Sequence, residues 1–321
     1  MRAIAKAPPN IALIKYWGKR DTSRNLPAVG SISITLSELF TEMSVELDGA
    51  LRDDQLSVNG AENHAMLPRV RSCLDGVLGE KRPSANIVSR TNFPVAAGLA
   101  SSASAFSALV FAAAAAGRQV KSVAELASLA GSASGSAARS FHGGYVELQN
   151  CGDKISVTRL RAGDEWPLSV VVAITTSGPK GVSSGEAMEI SRKSSPFYSR
   201  WIDQQPADLD VARSAIDDRN FEKLAAIAEH NCLKMHSVMW GSRPPVIYWN
   251  SATLACMQTV RDLQSAGVAV FFTIDAGPQV KAVCLPGDVV RVRAALAATT
   301  GVIDTMLSGL GKRGAELVAD K

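Results

Sequence analysis

Strand-like alternation and helical spacing take turns along this chain, and together they predict a mixed α/β protein. Residues 31–39 (SISITLSEL) and 42–47 (EMSVEL) are rich in β-branched side chains and predict strands. Residues 65–79 place apolar side chains at helical spacing, and 85–93 (ANIVSRTNF) predicts another strand. That strand feeds PVAAGLASSASAFSALVF, residues 94–111, a small-residue stretch opening an alanine-rich helix that ends near Gly117. Residues 123–134 predict a second Ala/Ser/Leu helix, and 143–150 (GGYVELQN) a return to strand.

Near Trp166 the pattern restarts. Residues 167–175 (PLSVVVAIT) form a continuous apolar run, as a buried strand requires, followed by a Gly/Ser/Lys loop and a polar helix. Helical periodicity then extends over 208–238, with Leu209, Ile216, Leu224, Ile227 and Leu233 as core positions. Residues 268–277 (VAVFFTIDAG) predict a strand ending in a turn, and 288–298 a further helix. The restart places a boundary near residue 165, giving two domains, 1–165 and 166–321.

Composition narrows the class. With 321 residues, 46% hydrophobic and 20% charged, the chain can bury a full core. The net charge of +4 is mild and the basic residues lack interleaved aromatics, so no nucleic-acid partner is expected. Five separated cysteines, without a CxxC pair, fit reduced thiols in a cytoplasmic protein. The start, MRAIAKAPPN, does not read as a signal peptide, and the Ala-rich run 103–116 is short for a membrane span, so no membrane partner is expected. His230 and His236 can share a helix, but a structural role is the better reading than a zinc site.

Candidate chemistry lies in five segments. The first turn of a helix leaves four backbone N–H groups unpartnered, and the Gly/Ala/Ser stretch 98–104 lets a phosphate approach them; a Ser cap on a buried helix is the plainer alternative. In APPNIALIKYWGKRD (7–21), a strand over 11–15 puts Lys15 among apolar neighbours, where a lysine calls for an anionic partner; Lys19 and Arg20 can equally be solvated loop charges. GSASGSAARSFHGG (131–144) joins hydroxyls to the Arg139 fork, or is a flexible turn with an exposed arginine. KGVSSGEAM (180–188) reads as a helix cap or a ligand loop. In FFTIDAGPQV (271–280), Asp275 ends a buried strand, as an Asx-turn residue or a positioned acid/base group. GLGKRG (309–314) matches GxGxxG, but only seven residues follow it, too few for a βαβ unit.

In their order and spacing these segments resemble the mevalonate diphosphate decarboxylases, a branch of the GHMP small-molecule kinase superfamily. The strings are PPNIALIKYWGKRD, NLPAVGSISITL, NFPVAAGLASSAS, SGSAARS, VSSGEAM and TIDAGP. The resemblance implies a two-domain α/β (α+β) GHMP kinase fold with the active-site cleft between the domains. It implies ATP and Mg2+ as cofactors, and conversion of mevalonate 5-diphosphate to isopentenyl diphosphate with release of CO2. Carried over, Gly98, Leu99, Ala100, Ser101, Ser102 and Ser104 hold the ATP phosphates, and Ser89 and Asn92 border the nucleotide. Tyr16, Trp17, Gly18, Lys19, Arg69 and Ser184 belong to the substrate site, with Ser134, Gly135, Ser136, Ala137 and Ala138 around its other end. Lys15 assists at the transferred phosphoryl group, Asp275 sits by the carbon-3 hydroxyl, and Arg139 holds the substrate carboxylate. The metal ligands are not readable, and a homodimer is implied only as the family habit. Gly185 and Ala187 depart from the family pattern and remove one side-chain donor. The alternatives are a kinase or decarboxylase acting on mevalonate or its 5-phosphate, and a non-catalytic anion-binding protein.

Overall fold

In the computed structural model, residues 1–93, 101–178 and 181–318 are described; Gly98, Leu99, Ala100 and Lys180 lie outside them. The first half contains β1 (Arg2–Ala7), β2 (Asn10–Ile14), β3 (Lys19–Asp21), β4 (Leu26–Pro27), β5 (Ser31–Thr35), β6 (Thr41–Leu47), β7 (Gln55–Val58) and β8 (Ala61–Glu62). It continues through α1 (Leu67–Leu78), β9 (Ala85–Thr91), α2 (Ser101–Ala116), α3 (Val123–Ala133), a 3-10 turn (Ala137–Phe141), β10 (Tyr145–Cys151) and β11 (Lys154–Arg161). The second half runs β12 (Ser169–Ile174), α4 (Ser184–Ser194), α5 (Tyr198–Asp217), α6 (Phe221–Trp240), α7 (Ser251–Ser265), β13 (Val270–Ile274) and β14 (Val280–Cys284). It ends with α8 (Val289–Ala297), β15 (Asp304–Gly309) and β16 (Glu316–Val318).

One sheet has the order β16-β1-β6-β9-β7-β8, a second β11-β10-β5-β2, and a third β13-β14-β12-β15. β16 pairs antiparallel with β1, with Val318 opposite Ile4, so the last described strand completes a sheet begun by the first. β6 buries Thr41, Met43 and Val45 on alternate positions, the mark of a strand with one core face. α2 is apolar nearly all round and accordingly buried, packed on β1 and β6 and flanked by α1 and α3.

The element that matters most for the site is α6, which packs against both β2 and β13 and so brings together strands from the two halves. Both strands are buried at every position. Each fully buried Ile, Leu or Phe stabilises by roughly 1.5–3 kcal/mol. Ile11, Leu13 and Ile14 on β2 and Phe271, Phe272 and Ile274 on β13 therefore fix the strand ends from which Lys15 and Asp275 project.

Two expectations change. The helical periodicity over 208–238 belongs to two helices, broken at 218–220, where Arg219 adopts φ 53° and the Asn220 side chain caps the Lys223 N–H at 2.9 Å. Leu209, Ile216 and Leu224 are buried, whereas Ile227 and Leu233 are only partly so. The strand expected over 31–39 stops at Thr35. GLGKRG is a packing device: a Cβ at Gly314 would lie 2.2 Å from the Phe141 backbone, and Gly311 N donates to Thr35 O at 2.7 Å.

Candidate functional site

A cavity of about 890 Å³ opens between the two halves. Its lining includes Lys15, Tyr16, Trp17, Lys19, Arg69, Ser89, Ser101, Ser102, Ser134, Gly135, Ser136, Arg139, Ser184 and Asp275. One lobe is apolar, walled by Met43, Leu56, Val58, Met66, Val70, Phe106 and Leu109. Among the described residues the remainder is rich in hydroxyls and carries four cationic side chains against the single carboxylate of Asp275.

The centre of the site is an ion pair between residues 260 positions apart: Lys15 Nζ lies 2.7 Å from Asp275 Oδ1. This meets the expectation that a lysine among apolar neighbours needs an anion. The turn after β13 is closed by the backbone, Gly277 N–H to Asp275 O at 2.7 Å, which leaves the carboxylate to face cations. Its other oxygen, Oδ2, is 3.2 Å from Lys281 Nζ, a residue sequence reasoning missed. Burial alone would raise the Asp275 pKa; Lys15 and Lys281 outweigh it and hold the carboxyl well below the usual carboxylate range. The side chain keeps 23% of its surface open and lines the cavity.

Helix α6 holds both backbones. The Asn231 side-chain carbonyl accepts the Lys15 N–H at 2.7 Å, and Asn231 Nδ2 donates to Gln205 Oε1 (2.9 Å) and Asp208 Oδ2 (2.6 Å) on α5. Gln205 Nε2 in turn donates to Lys15 O at 2.7 Å. Next to Asn231, Cys232 Sγ accepts from Ile274 N–H at 3.2 Å, and one turn further His236 Nε2 lies 3.2 Å from Ile274 O and 3.3 Å from Trp249 Nε1. Burial drives the His236 pKa down to about 3, so the ring is neutral. These contacts give His236 a structural role in seating α6 on β13. Among the described residues no group of three or more His, Cys, Asp or Glu side chains is arranged to hold a metal.

Arg139 is 2% exposed, which removes the flexible-turn reading. Its Nη1 donates to Ser31 Oγ at 2.5 Å, and Nε and Nη2 reach Asn10 Oδ1 at 3.3 and 3.1 Å. Asn10 is tied back to Ser136 O (3.0 Å) and Ser140 Oγ (2.8 Å). Burial lowers the Arg139 pKa to about 10, with Asp275 opposing. The hydroxyls of Ser102, Ser134 and Ser136 form a chain, 3.2 and 3.5 Å apart, that joins the start of α2 to the 134–139 segment.

Lys19 and Arg69 both line the cavity. Burial lowers the Lys19 pKa and the Arg69 charge lowers it further, as expected of cations gathered for an anion. Arg69 donates to Ala133 O through Nε (3.0 Å) and Nη2 (2.7 Å) and lies over the Phe106 ring. The Tyr16 hydroxyl is buried without a hydrogen-bond partner among the described residues and packs on Gly135, where an added Cβ would stand 2.6 Å from the ring. Ser183 caps α4, accepting from Glu186 N–H at 3.2 Å, and also lines the cavity. At Gly185 an added Cβ would lie 3.8 Å from Lys19 Nζ, so the ammonium stands beside the missing side chain.

Other expected positions fall outside the cavity. Ser104 is fully buried and its hydroxyl pairs with Thr41 Oγ1 at 2.7 Å, anchoring α2 to β6. Asn92 bonds Phe40 N–H and Glu38 O, stapling the end of β9 to the neighbouring loop. Ala137 and Ala138 point into the core, and Gly18, at φ 100°, makes room for the Tyr198 ring. These residues support the wall instead of lining it.

Comparison with known proteins agrees with this architecture. Residues 7–158 match the diphosphomevalonate decarboxylase-like N-terminal domain, and residues 170–314 the mevalonate 5-diphosphate decarboxylase C-terminal domain. The diphosphomevalonate decarboxylase of Candida albicans is 33% identical over 86% of this chain and 82% of its own. A solved structure described as MDDEF in complex with MVAPP, AMPPCP and magnesium superposes with a TM-score of 0.93 at 32% identity, over 100% of this chain and 99% of that one. The mevalonate diphosphate decarboxylase of Enterococcus faecalis gives a TM-score of 0.91 at 31% identity, over 100% and 99%. With both halves matched in order and the fold shared end to end, the chain belongs to the diphosphomevalonate decarboxylase family.

Proposed function

We infer that the protein catalyses the ATP-dependent decarboxylation of mevalonate 5-diphosphate to isopentenyl diphosphate, releasing ADP, phosphate and CO2. The observation that carries this reading is the Lys15–Asp275 pair, which lines a cavity rich in cations and hydroxyls. The chain up to about residue 165 contributes the α2 side of that cavity, and the remainder contributes Asp275.

The cavity suits the nucleotide: apolar side chains line it beside the first turn of α2, where Ser101 and Ser102 also line it. When bound with Mg2+, ATP supplies the phosphoryl group that turns the carbon-3 hydroxyl into a leaving group. Lys15 brings an ammonium to the place where negative charge gathers during that transfer. Asp275, ionised and held by two ammonium groups, is a weak base. Its part is to accept a hydrogen bond from the tertiary hydroxyl and then to oppose the positive charge that develops at carbon 3. Arg139, locked in line by Asn10 and Ser31, meets the substrate carboxylate without moving, as electrostatic preorganisation requires. Lys19 and Arg69, with Tyr16, Ser134, Ser136 and Ser184, form the wall suited to the diphosphate.

We also place the protein in the cytoplasm as a homodimer, as family habit has it; no helix among the described residues is long and apolar enough to cross a membrane. Turnover of the 5-phosphate and 5-diphosphate measured side by side tests the substrate assignment. A preference of at least ~10-fold in kcat/KM for the diphosphate, about 1.4 kcal/mol, is expected, and equal or reversed preference refutes it.

A further inference from the structure

We propose that Lys281 is a positioning residue for this reaction: a second, buried counter-ion that keeps the Asp275 carboxylate charged and in place while Lys15 engages an incoming phosphoryl group. The proposal rests on the functional reading above and adds a residue to it. Lys281 is the second residue of β14, a strand buried at every position, and its own exposure is 0%. β14 is hydrogen-bonded on both sides, with Lys281 opposite Thr273 of β13 and Val172 of β12. An ammonium placed there is costly unless a carboxylate answers it. Asp275 Oδ2 does so at 3.2 Å.

The two lysines divide the carboxylate between them, one oxygen each, but they differ in access. Lys15 lines the cavity and Lys281 does not. An anionic substrate therefore draws on Lys15 and leaves Lys281 where it is. With Lys15 shared and no second cation, a carboxylate in this buried setting, facing added negative charge, would take up a proton and lose its function. The other groups around Asp275 cannot replace Lys281. Arg139, on the 3-10 turn, is committed to Asn10 and Ser31; His236 is neutral, and Cys232 on α6 is a buried thiol.

Carbon-13 carboxyl NMR of Asp-labelled protein, with Asp275→Asn to assign the signal, reads the claim without turnover. In the unaltered protein the Asp275 signal stays that of a carboxylate down to the acid limit of folding, and in Lys281→Met it titrates at least one pH unit higher. In parallel, the acid limb of the kcat profile moves up by one unit or more in Lys281→Met, while KM for the substrate changes less than threefold. Lys281→Gln, which removes the charge and keeps a donor, should behave alike and serves if the Met variant does not fold. An Asp275 signal that titrates in the ordinary carboxylate range in the unaltered protein, or acid limbs that coincide, overturns the proposal. Absence of CO2 release by the unaltered protein would instead overturn the functional reading, and the NMR titration would still decide the role of Lys281.

Discussion

Replacing Asp275 by Asn removes one charge and leaves the side-chain shape nearly unchanged, so the consequences follow from electrostatics. At an effective dielectric of about 20, unit charges at 2.7 and 3.2 Å attract by about 6 and 5 kcal/mol. Desolvation offsets much of that, and loss of one partner from a buried pair costs about 3–5 kcal/mol net. For a domain near this size each kcal/mol lowers Tm by roughly 2–4 °C, so a fall of about 6–20 °C at pH 7 is expected. The deficit should depend on pH. Burial already holds the Lys281 pKa below the ordinary lysine value although Asp275 opposes it, and without Asp275 it falls further. A group depressed in this direction costs stability at every pH below its unfolded pKa, and the cost shrinks as pH rises toward it. The Tm gap between variant and unaltered protein should therefore narrow between pH 7 and 9.5. In the same variant, nucleotide affinity is retained while kcat/KM falls by at least ~2 kcal/mol of transition-state stabilisation, about thirtyfold. Thermal denaturation at the two pH values and steady-state kinetics measure both. An Asp275→Asn variant as stable and as fast as the unaltered protein would refute the reasoning.

Two further outcomes follow from the helix that holds the site. Asn231→Ala removes three buried hydrogen bonds, one to a carboxylate, and should cost about 3–5 kcal/mol of stability; kcat should drop more than KM rises, and unchanged kcat would remove the assigned role. His236, neutral in the fold with a pKa near 3, binds its proton first in the unfolded chain, so stability falls as pH drops from about 6.5 toward 3. Between pH 6.5 and 5 the loss is about 2 kcal/mol, and His236→Gln should abolish that part of the acid slope; equal slopes in urea denaturation would contradict it.

Much of the site was legible in the chain because it rests on local incongruities. Lys15 in an apolar run, a serine-rich stretch before an apolar helix, and an aspartate closing a buried strand all violate what burial would choose. Lys281 is an incongruity of the same kind, a lysine inside VKAVC, but its partner belongs to the turn after a neighbouring strand, beyond the reach of any motif that ends at Gly277-Pro278. The Asn231, Gln205 and Asp208 network was hidden for a different reason. On α5 and α6 these residues look like the polar face of an amphipathic helix, and only the packing of α6 against β2 turns that face inward. Ser104 shows the converse: a serine of the right motif whose helical phase points it at Thr41 and away from the cavity.

The central claim is that one site phosphorylates its substrate and then releases carbon dioxide from it. Incubation with ATP, Mg2+ and mevalonate 5-diphosphate, with ADP, phosphate and CO2 quantified in the same samples, tests it most directly. The account predicts the three products in equal amounts; ADP formed without CO2, or no ADP at all, would contradict it.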